Sequence, residues 1–278
     1  MTQSSVPSLW GVILPGPPDS VDGGGRPRVN DSPVRGTILC RTVERASRLM
    51  PHGRVIVVST RGSEDASPTA QELAGAQHVV QPAARGTAAE TFLALLKIAR
   101  QDAEAIVVVL PGQQDVQHEE RFLEHVGAAV RAVSRRPDLV VMIGARALSP
   151  DTYGWIEPGG PVEGLEDLAV RKVKRFVAEP SVDAAEALYR QRALVSTCVL
   201  VGSVRTLIAH GRRHVPDVLE TLEPVEEVFG RPEEPLLCDA VYEAMPHASL
   251  GTLLERGEPL AVLTVPDQPA ALPMPIAA

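Results

Sequence analysis

Two stretches of this 278-residue chain place residues suited to holding a phosphate or a nucleotide at turns between structural elements. Residues Pro15 to Arg28 carry Gly16, then Gly23, Gly24 and Gly25 in succession, then Arg26 and Arg28. Successive glycines let backbone N–H groups approach an anion, and arginines neutralise its charge. The spacing fits neither GxxxxGK[ST] nor GxGxxG, and an ordinary surface loop shares this composition. The second stretch, Gln81-Pro-Ala-Ala-Arg85-Gly86-Thr87-Ala88, sets an arginine and a glycine directly before a helix start, with Thr87 as the expected N-cap. That order suits an anion or a purine ring, and a capped turn without any ligand has the same pattern.

Other groups are less pointed. His210 and His214 lie four apart with Asp217 three further on, so a single helix face would bring them together for a metal, though no HExxH glutamate accompanies them. His118-Glu119-Glu120 reads as a helix start whose first turn favours acids. Arg171-Lys172-Val173-Lys174-Arg175 alternates as an exposed strand face does. Cys40, Cys198 and Cys238 are too far apart for a CxxC metal site or a secreted disulfide framework, and read as buried thiols.

Composition narrows the field of partners. The formal charge of −8 argues against nucleic acid and anionic membranes as partners. No apolar run reaches the roughly 18 residues of a membrane span, and no basic start and apolar core mark a signal peptide, so a cytoplasmic location is expected. Among 27 basic residues only Lys97, Lys172 and Lys174 are lysine. Chemistry that needs a lysine has three places to look.

These loops need elements to position them, and the hydrophobic pattern supplies an alternation. Apolar runs at Trp10–Leu14, Arg54–Thr60, His78–Gln81, Ala105–Leu110 and Leu139–Gly144 read as buried strands, with helices expected over Ile38–Met50, Thr87–Arg100 and Glu119–Arg135 and a short one at Glu72–Ala76. Buried strands separated by helices imply an α/β fold with a mainly parallel sheet covered on both faces. Ligands of such sheets sit beyond the carboxyl ends of the strands, at Pro15–Pro33, Thr60–Ser67, Gln81–Thr87 and Pro111–Asp115. After Ser149 two strands, Tyr153–Glu157 and Val170–Val177, are expected to pair antiparallel, followed by a helix over Val182–Arg190 and a strand over Val195–Val201. Residues 1–222 are expected to form one α/β domain, and 223–278 a helical, proline-rich segment that becomes a loose tail from Pro266.

Taken in order, Val12-Ile-Leu, Gln81-Pro with Arg85-Gly86-Thr87-Ala88, Val109-Leu110-Pro111, Tyr153-Gly154-Trp155-Ile156 and Arg175-Phe176-Val177 with Pro180 resemble the sugar-phosphate nucleotidyltransferases, above all the mannose-1-phosphate guanylyltransferases, over roughly residues 9 to 205. The resemblance implies a Rossmann-like sheet with a small antiparallel extension on the sugar side. It implies a reaction in which a sugar 1-phosphate attacks the α-phosphorus of GTP or another nucleotide, with Mg²⁺ bridging the phosphates and pyrophosphate leaving. By the same resemblance Gly16, Gly24, Gly25, Arg26, Gln81, Arg85, Gly86, Thr87 and Pro111 fall on the nucleotide side. Tyr153, Gly154, Glu179 and Ser196 fall on the sugar side, and Arg26 and Asp115 are the candidates for catalysis, Asp115 also for the metal.

The family pattern is broken at charged positions. The first loop lacks its Pro-Lys pair, and Gln113 stands where a metal-binding aspartate belongs; a neutral amide is a poor Mg²⁺ ligand. Glu179 stands where a lysine meets the sugar phosphate, and Val195-Ser196-Thr197 replaces a Trp-Asn-Ser segment. A later aspartate motif has no counterpart. These losses imply a degenerate active site that retains nucleotide or sugar-nucleotide binding. Two alternatives stay open: an active enzyme using Asp115 with Asp19 or Asp22 and arginines for lysines, or a regulatory or scaffold subunit that associates with an active paralogue or with itself.

Overall fold

The computed structural model describes residues 7–14, 33–62, 73, 75–112, 116, 118–150, 154–256 and 259–269. The amino-terminal half alternates as expected: β1 (Leu9–Leu14), α1 (Pro33–Ser47), β2 (Val55–Thr60), β3 (Gln77–Gln81), α2 (Thr87–Gln101), β4 (Ile106–Pro111), α3 (Glu119–Arg135) and β5 (Val140–Arg146). The short helix expected at 72–76 needs correction: of its residues, 73, 75 and 76 are described and form a turn, closed by Ala76 N donating to Leu73 O at 2.9 Å, while 72 and 74 lie outside the described residues. The second half adds β6 (Trp155–Pro161), β7 (Val170–Val177), α4 (Val182–Arg190), β8 (Leu194–Ser203), α5 (Val204–His214), α6 (Pro216–Glu226), α7 (Glu234–Glu243), α8 (Leu250–Arg256) and β9 (Leu260–Pro269). No helix among the described residues is long and apolar enough to cross a membrane.

The strands form one sheet in the order β3-β2-β1-β4-β8-β5-β9-β7-β6, and β6 also pairs with β8. Alternate residues of each strand feed opposite layers, as the period of two requires. Val12, Ile56, Val58, Val107 and Val109 meet α2, α5, α6, α7 and α8, whereas Ile13, Val55, Val57, Ile106 and Val108 meet α1 and α3. Helix α2 is apolar on nearly every side because it packs between the sheet and the α5–α6 pair. A third cluster seats α4 on β6 and β8 through Ala185, Leu188, Trp155 and Val195.

The expectation of a mainly parallel sheet needs correction: the sheet is mixed. Strands β3, β2, β1 and β4 run parallel, as do β5 and β9, but β8 runs antiparallel between β4 and β5. Its sequence, LVSTCVLVGS, is buried on both faces, and an antiparallel strand so placed has the same continuous apolar run as a parallel one. One edge of β8 carries β4 at residues 200–203 and β6 at residues 194–195, so β8, β5, β9, β7 and β6 are hydrogen-bonded in a ring.

The second difference is at the carboxyl end. Leu260–Pro269 is a strand between β5 and β7, where the sequence pattern ended the sheet at β8 and began a tail at Pro266. Ala261 and Val262 are wholly buried there. Residues 270–278 lie outside the described residues. Gly144 of β5 is flanked by β8 and β9, and a Cβ on it would stand 2.9 Å from Val262 Cγ2 and 3.2 Å from Leu194 Cβ. Gly144→Ala is therefore expected to destabilise the protein by about 1–3 kcal/mol through overpacking. In a Val262→Ala background that loss should shrink by at least about 0.5 kcal/mol, read from a double-mutant cycle of denaturant midpoints. Additive losses would place Val262 elsewhere.

Candidate functional site

The carboxyl ends of β3, β2, β1 and β4 share one edge of the sheet, and the strand order reverses direction between β1 and β4. A crevice at such a switch point is where open α/β sheets hold ligands. The Gly/Arg loop with Gly16, Gly24, Gly25 and Arg26 lies outside the described residues, as do Asp115, Gln113 and Tyr153. Some of the residues at these strand ends are described. Gly112 N–H donates to Leu14 O at 2.7 Å, and Thr42 Oγ1 on α1 reaches Gly112 O at 3.4 Å, which fixes the half-buried Pro111 beside the end of β1. Buried Arg45 on α1 pairs with Glu119 at 3.3 Å and lies over the Phe122 ring, binding α1 to the start of α3.

The Gln81–Ala88 loop is built differently from the expected capped turn. Gly86, not Thr87, is the N-cap of α2, and it has no side chain to cap with. Thr87 is the first helical residue, and its Oγ1 instead accepts from Leu250 N at 2.9 Å, so it caps the distant helix α8. The donors of α2 are met from outside: Ala88 N donates to Ala248 O at 3.0 Å, and Ala248 N donates to Arg85 O at 3.2 Å. This close approach requires glycine at 86, where φ is +83° and a Cβ would lie 2.3 Å from Ala248 O. Contacts between residues so far apart in the chain leave no local sequence signal.

Gln81 is wholly buried. Its Nε2 donates to Thr60 Oγ1 at 2.8 Å and to Glu90 Oε1 at 2.7 Å, and its Oε1 accepts from the Tyr242 hydroxyl on α7 at 3.2 Å. Its amide therefore anchors the loop from beneath and is not offered to a ligand. Burial pushes the Glu90 carboxyl up to about 7, with the Gln81 amide opposing. Arg85 is half-buried, and its Nε is enclosed without a hydrogen-bond partner.

Among the residues that the resemblance placed on the sugar side, Ser196 N donates to Gly154 O at 2.8 Å, so the structure sets these two candidates side by side. Ser196 is buried and its Oγ accepts from Cys198 N at 3.0 Å; Thr197 Oγ1 donates to Ile143 O at 2.8 Å. Both hydroxyls thus support an irregularity of β8 in which Cys198 takes φ +61°. Burial pushes the Cys198 thiol up to about 12 and the Cys238 thiol up to about 11, neither a nucleophile at neutral pH. Glu179 is exposed just beyond β7. Lys174 and Arg175 do not turn to it; both pair with Glu157 of β6, at 3.6 and 2.6 Å. Glu157 was not among the sequence candidates, although its register opposite Arg175 follows once the hairpin is aligned.

The three residues His210, His214 and Asp217 do not share one helix face. His210 and His214 lie on α5 with ring centroids 5.9 Å apart, but the helix ends at His214, and Pro216 starts α6 with Asp217. The residue before a proline is disfavoured in helical conformation, which separates the three. Among the described residues no group of three or more His, Cys, Asp or Glu is placed to hold a metal. A cavity of about 300 Å³ lies elsewhere, between Leu96, Arg212, Leu219 and the α6 glutamates.

No protein-family model matches the sequence, and no curated protein does. Solved structures do. The chain superposes on a mannose-1-phosphate geranyltransferase from Thermus thermophilus with a TM-score of 0.76 and 25% identity, over 92% of this chain and 74% of that one. It superposes on a mannose-6-phosphate isomerase from Helicobacter pylori with a TM-score of 0.68 and 14% identity, over 93% and 97%. The protein has a sugar-phosphate nucleotidyltransferase-like fold.

Gly86→Ala combines a left-handed backbone with a clash against a carbonyl, and is expected to cost at least about 2 kcal/mol. Hydrogen exchange should rise first in residues 245–250. A fully stable Gly86→Ala protein with unchanged protection there would refute the contact.

Proposed function

We propose that the chain is a nucleotidyltransferase-like protein of the mannose-1-phosphate guanylyltransferase type, which binds GTP or another nucleotide, or its sugar conjugate, across the strand ends with weakened chemistry. The observation that carries this reading is the superposition over 92% of the chain on a transferase described as acting on mannose 1-phosphate. The Gln81–Ala88 loop at a crossover of that sheet is consistent with it.

Joining a sugar 1-phosphate to a nucleoside triphosphate needs positioning and neutralisation of charge at the transferring phosphate. Arg85 is the described cation on the nucleotide side. On the sugar side Lys174 and Arg175 are held by Glu157, and Glu179 adds negative charge. Both features favour binding over turnover. Mg²⁺ bound between the phosphates would neutralise them; its candidate ligand Asp115 lies outside the described residues.

A non-catalytic subunit that associates with an active paralogue is the second reading. The one large apolar side chain that α7 exposes, Leu236 at 77%, is a singly scattered surface residue and adds no support to it.

A thermal-shift series with GTP, ATP, UTP, dTTP and their sugar conjugates, with and without Mg²⁺, tests the first reading. A ligand at a hundred times its Kd stabilises by about 2.7 kcal/mol, and the guanine compounds should give the largest rise. No shift with any of them at millimolar concentration would overturn it, and brisk pyrophosphate release with mannose 1-phosphate would overturn the weakened chemistry. Glu157→Gln should release Lys174 and Arg175 and tighten mannose 1-phosphate binding by roughly two- to fivefold at low salt, the range of an exposed ion pair.

A further inference from the structure

Glu90 is a carboxylic acid buried in the first turns of α2, and its place in the fold has no counterpart among the residues that suggested the family. Its Oε1 is held by Gln81, while its Oε2 is enclosed and has no hydrogen-bond partner. Three elements meet on this group. Gln81 ends β3 and begins the loop, Thr60 ends β2, and Tyr242 belongs to α7. The same loop is stitched at its far end to Ala248 and Leu250, and Glu255 of α8 accepts from Ala178 N at 2.7 Å on the sugar side.

The charged and titratable neighbours leave the acid uncompensated. Tyr242 is held neutral, its pKa raised by burial, by Cys238 and by Glu90, and Cys238 itself stays a thiol. Arg61 at the end of β2 pairs with Asp239 of α7 at 2.8 Å, and Lys97 of α2 pairs with Glu234 of α7 at 3.3 Å. No cation contributes to the shift at Glu90, whose causes are burial and the Gln81 amide. A neutral carboxyl tolerates one unpartnered oxygen; an anion enclosed without a cation does not.

We propose that Glu90 is a proton-linked positioning residue: with its proton it closes the Gln81–Tyr242 network and fixes the Gln81–Ala88 loop, and without it the network opens and the loop and α7 loosen together. The inference rests on the reading of that loop as the nucleotide side only for its consequence, that nucleotide affinity falls as pH rises. The sign follows from the raised carboxyl. The folded state binds the proton more tightly than the open one, so the contribution of Glu90 is full below pH 4.5 and is lost as pH rises to about 7. Burial is the cause, so removing the charge while keeping the shape should remove the effect.

Hydrogen exchange of the full chain at pH 6 and pH 8, corrected for intrinsic chemical rates, tests this without any ligand. Opening of residues 82–90 and 241–250 is expected to increase roughly tenfold or more between the two, with the rest of the sheet unchanged. Glu90→Gln, which keeps the acceptor for Gln81 and cannot ionise, should hold the pH 6 protection at pH 8. Glu220→Gln, the same charge change on the exposed face of α6, should behave as wild type. Equal protection at both pH values in the wild type, or a pH response that persists in Glu90→Gln, overturns the proposal. The GTP dissociation constant across the same range should weaken in the wild type and stay level in Glu90→Gln. A wild-type constant that ignores pH while the loop opens overturns the positioning role, and absence of GTP binding at every pH refutes the functional reading while the exchange result still decides on Glu90.

Discussion

The reciprocal bonding of Ala248 to the start of α2 is the contact on which the strand-end region depends. One short segment supplies an acceptor to Ala88 and a donor to Arg85, then hands its next helix to Thr87 for capping. An α-helix leaves its first four N–H groups without intrahelical partners, and at the end of a buried strand water is a poor substitute. The carboxyl-terminal helices therefore do more than cover the sheet. They complete the turn that follows β3, and through Glu255 they reach the turn that follows β7, so the two sides of the crevice share one support.

Charge is distributed against easy chemistry with phosphates. The cations are nearly all arginine, and among the described residues several at the strand ends are engaged: Arg45 with Glu119, Arg61 with Asp239, Arg175 with Glu157. Arg85 differs in having an enclosed Nε without a partner, an arrangement that a bound anion or carbonyl would complete. A planar guanidinium orients such a ligand through paired hydrogen bonds, whereas a lysine acts as a mobile point charge.

The alternation of β1 to β5 with their helices was legible because each element advertises itself locally, as a β-branched run or a helical stripe. What was not legible is what depends on pairing across the chain. Strand β8 is apolar on both faces in either direction, so its antiparallel course leaves no mark in Leu194–Ser203. Strand β9 contains prolines at 266 and 269 and reads as a tail, yet its first half is buried between β5 and β7. Thr87 has the chemistry of an N-cap and uses it, but for a helix 163 residues away. At the candidate site the neighbours Gly154 and Ser196 could be named from resemblance, whereas Glu90 and Glu157 required the fold to show which charges they face.

The position of β9 bears on how the protein can be made. Its two neighbours, β5 and β7, are synthesised roughly a hundred residues earlier, which at ordinary elongation rates is on the order of ten seconds. Throughout that interval the slot between them is an open pair of strand edges, each a template for any extended chain that meets it. The nascent protein therefore passes through a state in which β1 to β8 can be in place while the sheet has a gap between β5 and β7, and β9 must reach that gap before another molecule does.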